Sequence, residues 1–301
     1  MNKSYVLFNP HAGNNTGKAS AEKLKEVYTD KELVFIDITE IKNYGEFIES
    51  LDNDDNVIIC GGDGTLNRFV NAIYDVNTDK EILYYAVGSG NDFLRDIDGE
   101  DGTVPFRINE YICDLPVVTV NGKSYRFING VGFGIDGYCC EVGDKLRAQN
   151  TGKPINYAGI AIKGLLFHYK PTAATVTVDG VTHTYKKAWL APTMIGRYYG
   201  GGLMPTPNQS REQRRESVSV GVIHDSGKLK TLMIFPSIFK GEHLKHTKIV
   251  DEFKGKSVTV EFDRPVALQI DGETILGVTK YEACIPSLYV KKENEAATVE
   301  A

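Results

Sequence analysis

Asn56-Val57-Ile58-Ile59-Cys60-Gly61-Gly62-Asp63-Gly64-Thr65-Leu66-Asn67 is the stretch on which the reading of this chain turns. Val57–Cys60 is a short apolar run of the kind found in a parallel strand buried on both faces. Gly61, Gly62 and Gly64 then let the backbone turn tightly and come within hydrogen-bonding distance of a bulky anion. Leu66-Asn67-Arg68-Phe69-Val70-Asn71-Ala72-Ile73 follows with apolar residues at helical spacing. A strand, a glycine turn and a helix N-terminus together make an anion site of backbone N–H groups and helix dipole. An ordinary strand-to-helix turn also uses glycine, but it has no need of Asp63. A carboxylate beside phosphate is costly unless a cation or a proton-transfer role offsets it.

Outward from this stretch, the first 125 residues alternate strand and helix signals. Strands are expected at Tyr5–Phe8, Leu33–Ile38, Val57–Cys60 and Leu83–Val87, and helices at Ala19–Tyr28, Tyr44–Leu51 and Leu66–Ile73. This rhythm predicts a parallel sheet covered by helices on both faces. Three polar, glycine-containing loops and Thr39 all fall at strand carboxyl ends, where ligands bind in such sheets. The loops are Asn9–Gly17, Gly61–Thr65 and Gly88-Ser89-Gly90-Asn91-Asp92, and they can share one site although far apart in sequence.

From about Leu115 the texture changes to short alternating strands with turn pairs. Asn121-Gly122 and Asp179-Gly180 each predict a hairpin. Further strands are expected at Val218–Ile223, Ser257–Phe262 and Ala267–Ile270, with helices only around Ile155–Tyr169 and Lys228–Phe239. The pattern predicts an antiparallel sandwich. The expected domains are therefore 1–125, α/β, and 126–292, a β-sandwich whose last strand can return to the first domain. A polar tail, 293–301, is expected to be disordered.

The chain has 301 residues, 42% of them hydrophobic and 25% charged, and a net charge of −6. That composition belongs to a soluble globular protein and argues against a dedicated nucleic-acid binder. No apolar run approaches the roughly 20 residues of a spanning helix, and the N-terminus lacks a signal-peptide core. Five cysteines without C-x-x-C spacing fit reduced thiols in the cytoplasm.

With these motifs in place, the sequence resembles bacterial lipid kinases of the diacylglycerol kinase family, related to sphingosine and ceramide kinases. The carriers are Asn9-Pro10-x-x-Gly13, Gly61-Gly62-Asp63-Gly64-Thr65, Gly88-Ser89-Gly90-Asn91-Asp92-Phe93, Gly132-Phe133-Gly134-Ile135-Asp136, Arg197-Tyr198-Tyr199-Gly200-Gly201-Gly202 and Asp271-Gly272-Glu273. Each is weak alone, since G-G-D-G also marks NAD kinases; six in the family's order are specific. The resemblance implies a phosphofructokinase-like (NAD-kinase-like) N-terminal α/β domain, a C-terminal antiparallel β-sandwich, and a cleft between them where ATP and lipid meet. It implies ATP- and Mg²⁺-dependent phosphorylation of a lipid hydroxyl, with diacylglycerol as acceptor and phosphatidic acid as product. Alternatives are a sphingoid base, undecaprenol or NAD as acceptor, or a nucleotide-binding homologue without catalysis.

The resemblance places Gly61, Gly62, Asp63, Gly64, Thr65, Leu66 and Asn67 in the nucleotide-phosphate loop. Ser89 stands where the family usually has threonine, and Thr39 matches a nucleotide-contacting position, although a hydroxyl ending a strand is often only a turn residue. Asn9 and Asn91 can bind nucleotide or simply cap their loops. Asp271 and Asp63 are both candidates for the proton acceptor, with Glu273 beside the first, and Asp63 can also hold Mg²⁺ through water. The family's usual Asp-Gly pair, whose aspartate helps hold a structural Mg²⁺, is missing. Here the stretch reads Pro207-Asn208-Gln209-Ser210-Arg211-Glu212-Gln213-Arg214-Arg215-Glu216-Ser217. A guanidinium cannot ligate a cation. This accessory metal site is therefore expected to be absent, or rebuilt on Glu212 or Glu216. A second departure is Thr193-Met194-Ile195, where relatives often carry asparagine. Expected partners are a lipid at the membrane surface and no nucleic acid, with transient peripheral membrane contact through the basic stretches Lys240–Lys248 or Arg211–Arg215, and with a homodimer as a further expectation.

Overall fold

The computed structural model describes residues 3–74, 76, 78–88, 90–97, 101–149 and 155–290; Ser89 and the expected tail 293–301 lie outside them. The chain divides into two compact units, 1–113 and 114–301.

In the first unit, strands β1 (Lys3–Phe8), β2 (Glu32–Asp37), β3 (Asn56–Gly61), β4 (Ile82–Ala86) and β5 (Phe106–Arg107) form one sheet in the order β2-β1-β3-β4-β5. All pairings are parallel except β4–β5. All six residues of β3 are buried, which is why the sequence there is a continuous apolar run rather than an alternating one. Val6, Phe8, Ile58, Cys60 and Leu83 from the sheet pack with Ala21 and Leu24 in one core cluster. The chain leaves β1 toward one edge and β3 toward the other, so the order reverses between these two neighbours. Such a switch point opens a crevice at the strand carboxyl ends, and Asn9 and Gly62 stand there. The helix expected at Ala19–Tyr28 is broken into Ala12–Asn15, Gly17–Glu22 and Leu24–Val27. Gly13 and Asn14 adopt left-handed backbone angles, which no right-handed helix can continue through.

In the second unit every pairing is antiparallel. The strands are β6 (Val117–Val120), β7 (Lys123–Arg126), β8 (Gly130–Gly134), β9 (Thr172–Val178), β10 (Val181–Met194), β11 (Val218–His224), β12 (Val250–Gly255), β13 (Ser257–Ile270) and β14 (Glu273–Cys284). Their path is β12-β11-β10-β8-β13-β14-β6-β7, with β9 also joining β10 to β13. β10 and β13 are the two long members: β8 lies between their C-terminal parts and β9 between their N-terminal parts. Register shifts at Ala188/Leu190 and between Glu261 and Leu268 mark where they bend. β13 runs through Pro265, where the sequence suggests two separate strands. Asn121 and Gly122, and Asp179 and Gly180, have the positive φ of the tight hairpin turns their sequences predict.

Two differences from the sequence reading stand out. The unit boundary lies at 113/114 rather than 125/126, because the β6–β7 hairpin pairs with β14 and so belongs to the second sheet; β14 likewise stays in that sheet. The second unit also carries a helix, Ile135–Ala148, that periodicity does not reveal. Gly137 and Gly143 dilute its apolar stripe, yet a side chain at Gly137 would strike the Ala267 carbonyl, so the glycine is what lets the helix lie close on β13.

Candidate active site

The first unit builds its site where two glycine loops touch. A Cβ on Gly88 would come within 2.6 Å of the Gly62 Cα and 2.8 Å of Asn91 Oδ1. Only glycine permits this approach, and it leaves a cradle walled by backbone. Gly62 is the N-cap of the helix Asp63–Ile73 and offers no side chain to its first turn. The leading amides of an α-helix have no intrahelical carbonyl partners, so this uncapped end is suited to an anion.

Asp63 opens that helix but points elsewhere. Its Oδ1 accepts from the Phe93 amide at 2.8 Å and its Oδ2 from the Asp92 amide at 3.0 Å. It therefore caps the short helix Asp92–Arg95 and ties the two glycine loops together. Asn9, directly after β1, donates through Nδ2 to Thr65 Oγ1 at 2.8 Å and accepts through Oδ1 from the His11 amide. The loops after β1, β3 and β4 thus converge, as their positions at strand ends predict. Val87 N and Tyr84 Oη both donate to the Gly61 carbonyl, holding the turn from behind. Gly64 is partly exposed at the cradle, while Leu66 and Asn67 are buried and serve the helix's packing.

Asn91 sits in the left-handed region, and its buried Oδ1 has no hydrogen-bond partner. Such an orphan at a cradle wall is a group that a ligand donor satisfies. Thr39 is exposed, and its amide and hydroxyl both donate to Asp37 Oδ1, at 2.9 and 2.7 Å. The structure gives Thr39 the turn role that competes with nucleotide contact.

In the second unit, Asp271 occupies the β13–β14 turn with φ of 47°. Its carboxylate accepts from three successive amides, Ile128 at 2.6 Å and Asn129 and Gly130 at 2.8 Å. Arg211, buried in the arginine stretch, donates to the Ile128 carbonyl and, at 2.8 Å, to Asn129 Oδ1. One short segment, 128–130, is thus held by an acid from one side and a guanidinium from another. Glu273 stands exposed at the start of β14. Glu212 and Glu216 are exposed, and among the described residues no three His, Cys, Asp or Glu side chains gather as a cation site. The donors in 207–217 do not fit an accessory Mg²⁺: a fixed positive charge is built in there instead. Thr193 is fully buried, and its hydroxyl is engaged with Tyr281 Oη, which donates in turn to the Ala191 carbonyl.

A candidate that sequence reasoning left without a role is Asp136. It lies in the first turn of the helix Ile135–Ala148, where β8 ends, and is buried with neither carboxylate oxygen hydrogen-bonded. Burial pushes its carboxyl up to about 7. The nearby amides of Gly137 and Asp136 and the Gln269 side chain favour the charged form without closing a normal hydrogen bond. Gln269, which accepts from the Gly272 amide, leaves its buried Nε2 unpartnered. The available signal was the strand–glycine–helix order of Gly132-Phe133-Gly134-Ile135-Asp136, the same order that exposes Gly61–Thr65.

Both units match known families. Residues 3–112 match the diacylglycerol kinase catalytic domain, and residues 129–289 match the YegS C-terminal NAD kinase beta sandwich-like domain. YtlR of Bacillus subtilis is 24% identical over 245 residues, covering 75% of each chain. A diacylglycerol kinase of Mycobacterium tuberculosis is 25% identical over 215 residues, covering 69% of this chain and 67% of its own. The crystal structure of a diacylglycerol kinase from Bacillus anthracis superposes with a TM-score of 0.58 at 19% identity, over 95% of this chain and 94% of that one. The α/β unit with its glycine cradle and the β-rich unit with its buried acids are the two halves of one known architecture, and the chain belongs to the diacylglycerol kinase family of lipid kinases.

Proposed function

We propose that the chain transfers the γ-phosphoryl group of ATP to the free hydroxyl of diacylglycerol, giving phosphatidic acid. The observation that carries this reading is the Gly62–Gly88 approach at an uncapped helix N-terminus. Backbone donors suit phosphate because they hold its oxygens without competing charge. Phosphoryl transfer needs mainly positioning and charge neutralisation. Bound Mg²⁺ supplies neutralisation of the phosphate charge. Asp63, in the first turn of the helix at the cradle, is the acid that would hold a metal-bound water.

The acceptor hydroxyl must also lose a proton. Asp63 and Asp271 both spend their carboxylates on backbone amides, whereas Asp136 carries no hydrogen bond and changes protonation near neutral pH. A base is most effective with a pKa near the working pH. The residue roles supported best are therefore Asp136 as proton acceptor, Asp271 as the clamp on 128–130, and Asp63 as the clamp between the phosphate loops.

Labelled ATP offered with diacylglycerol, a sphingoid base, undecaprenol and NAD tests the assignment. Transfer to diacylglycerol, abolished in Asp136→Asn, is the expected result. Transfer to NAD alone removes the lipid reading, and nucleotide binding without transfer to any acceptor removes the enzymatic one.

A further inference from the structure

A lipid kinase must meet its acceptor where lipids are, and one face of the second unit has the chemistry for that. The helix Lys228–Ile238 buries Thr231, Ile234, Phe235 and Ile238. A surface helix of a soluble domain normally turns polar residues outward. Here Leu229 and Met233, one turn apart, are 70% and 73% exposed. The neighbouring segment, the helix Tyr157–Lys163 running into the π-turn Gly164–His168, repeats the pattern: Ala161 and Leu165 are buried and Phe167 is 71% exposed. Ala161, Leu165, Ile234, Phe235 and Ile238 belong to a single core cluster. Lys228 Nζ donates to the Leu166 carbonyl at 3.0 Å. The two segments therefore lie side by side, and their outer apolar residues form one face.

Its charge identifies the partner. Residues 155–170 and 226–241 contain five lysines, Lys163, Lys170, Lys228, Lys230 and Lys240, and no aspartate or glutamate, in a chain whose net charge is −6. All five lysines are exposed. Large apolar tips set among five lysines, with Asp225 and Glu242 only at the margins of the second stretch, match an interface of acyl chains beneath anionic headgroups.

We propose that this face, centred on Phe167, Leu229 and Met233, docks the enzyme on bilayers containing anionic phospholipid. The proposal rests on the lipid-kinase reading but concerns where the protein sits rather than what it phosphorylates. It shares only Lys240 with the basic stretch 240–248 and leaves out 211–215, where Arg211 and Arg214 are buried.

Sedimentation of the full chain with phosphatidylglycerol/phosphatidylcholine vesicles, without ATP or diacylglycerol, tests the docking face apart from catalysis. Binding is expected to be strong with phosphatidylglycerol and weak on phosphatidylcholine alone. Leu229→Gln/Met233→Gln is expected to weaken it at least tenfold, and Lys230→Gln or Lys240→Gln about fivefold each. Unchanged thermal melting confirms that these exposed substitutions leave the fold intact, and turnover of a short-chain, water-dispersed diacylglycerol should not change. Equal vesicle binding by wild type and the Leu229/Met233 variant would overturn the proposal. So would binding indifferent to phosphatidylglycerol, or a face whose substitution dissolves a dimer while leaving vesicle binding untouched. A protein that docks as expected yet phosphorylates none of the lipids leaves this inference standing and removes only the substrate assignment.

Discussion

At the scale of single residues, the site depends on what Gly88 lacks and what Asp63 holds. A methyl at Gly88 must displace both the Gly62 backbone and the Asn91 side chain. Gly88→Ala is expected to cost about 1–3 kcal/mol of stability by overpacking and to weaken nucleotide binding, read by denaturant melting and by titration with an ATP analogue. Asp63→Asn keeps the shape but replaces one accepting oxygen by an NH₂ facing a backbone donor. The loss is expected to be about 1–3 kcal/mol together with activity. Loss of turnover at unchanged stability would show that Asp63 serves chemistry alone and not the clamp. Asp63 was legible from G-G-D-G-T and Gly88 from the later Gly88-Ser89-Gly90 turn, because glycine and aspartate in a strand-to-helix turn have few physical uses. The partners were not: nothing in the sequence says that Asp63 reaches the amides at 92 and 93, since that contact is made by folding. Thr39 shows the converse, a residue chosen for its place at a strand end whose hydroxyl is used locally by Asp37.

At the scale of elements, β8 and the helix Ile135–Ala148 form a second strand–glycine–helix unit carrying a buried acid. The ordinary aspartate value is 3.8, and burial raises Asp136 to about 7. Because the folded-state pKa is the higher one, the folded protein binds the extra proton between these values. Stability is therefore full below about pH 4, falls as pH rises toward 7, and levels off above it. Asp136→Asn removes this dependence. The variant's stability relative to wild type is expected to grow by about 2–4 kcal/mol between pH 5 and pH 8, measured by denaturant unfolding across that range; a gap that stays constant with pH would contradict a buried, titrating Asp136. The hairpins of this unit were readable from Asn-Gly and Asp-Gly pairs. This helix was not, because two glycines that allow close packing on β13 also erase the periodicity by which helices are recognised.

At the scale of the whole molecule, each unit owns a sheet and a hydrophobic cluster, so each is expected to unfold as a cooperative step. The sequence supplies a probe for one of them. Trp189 is the chain's single tryptophan; it lies in β10, is 1% exposed, and donates from Nε1 to the Ser226 carbonyl. Its fluorescence therefore follows the second unit, while circular dichroism follows both. A ligand that binds only the folded state at a hundred times its Kd stabilises by about 2.7 kcal/mol. If the phosphate cradle lies in the first unit, a non-hydrolysable ATP analogue should raise one circular-dichroism transition by about that amount without moving the Trp189 transition. Gly88→Ala should abolish the shift. Asp271→Asn should do the reverse: by breaking the clamp on 128–130 it lowers the Trp189 midpoint and leaves the nucleotide-dependent step in place. Should both probes move together in every case, the units share one transition and the cradle's separate energetics would be lost. The predicted split follows from the structure because the hydrogen bonds of Asn9 and Asp63 at the cradle join residues before 114, and those of the Asp271 carboxylate to 128–130 join residues after it.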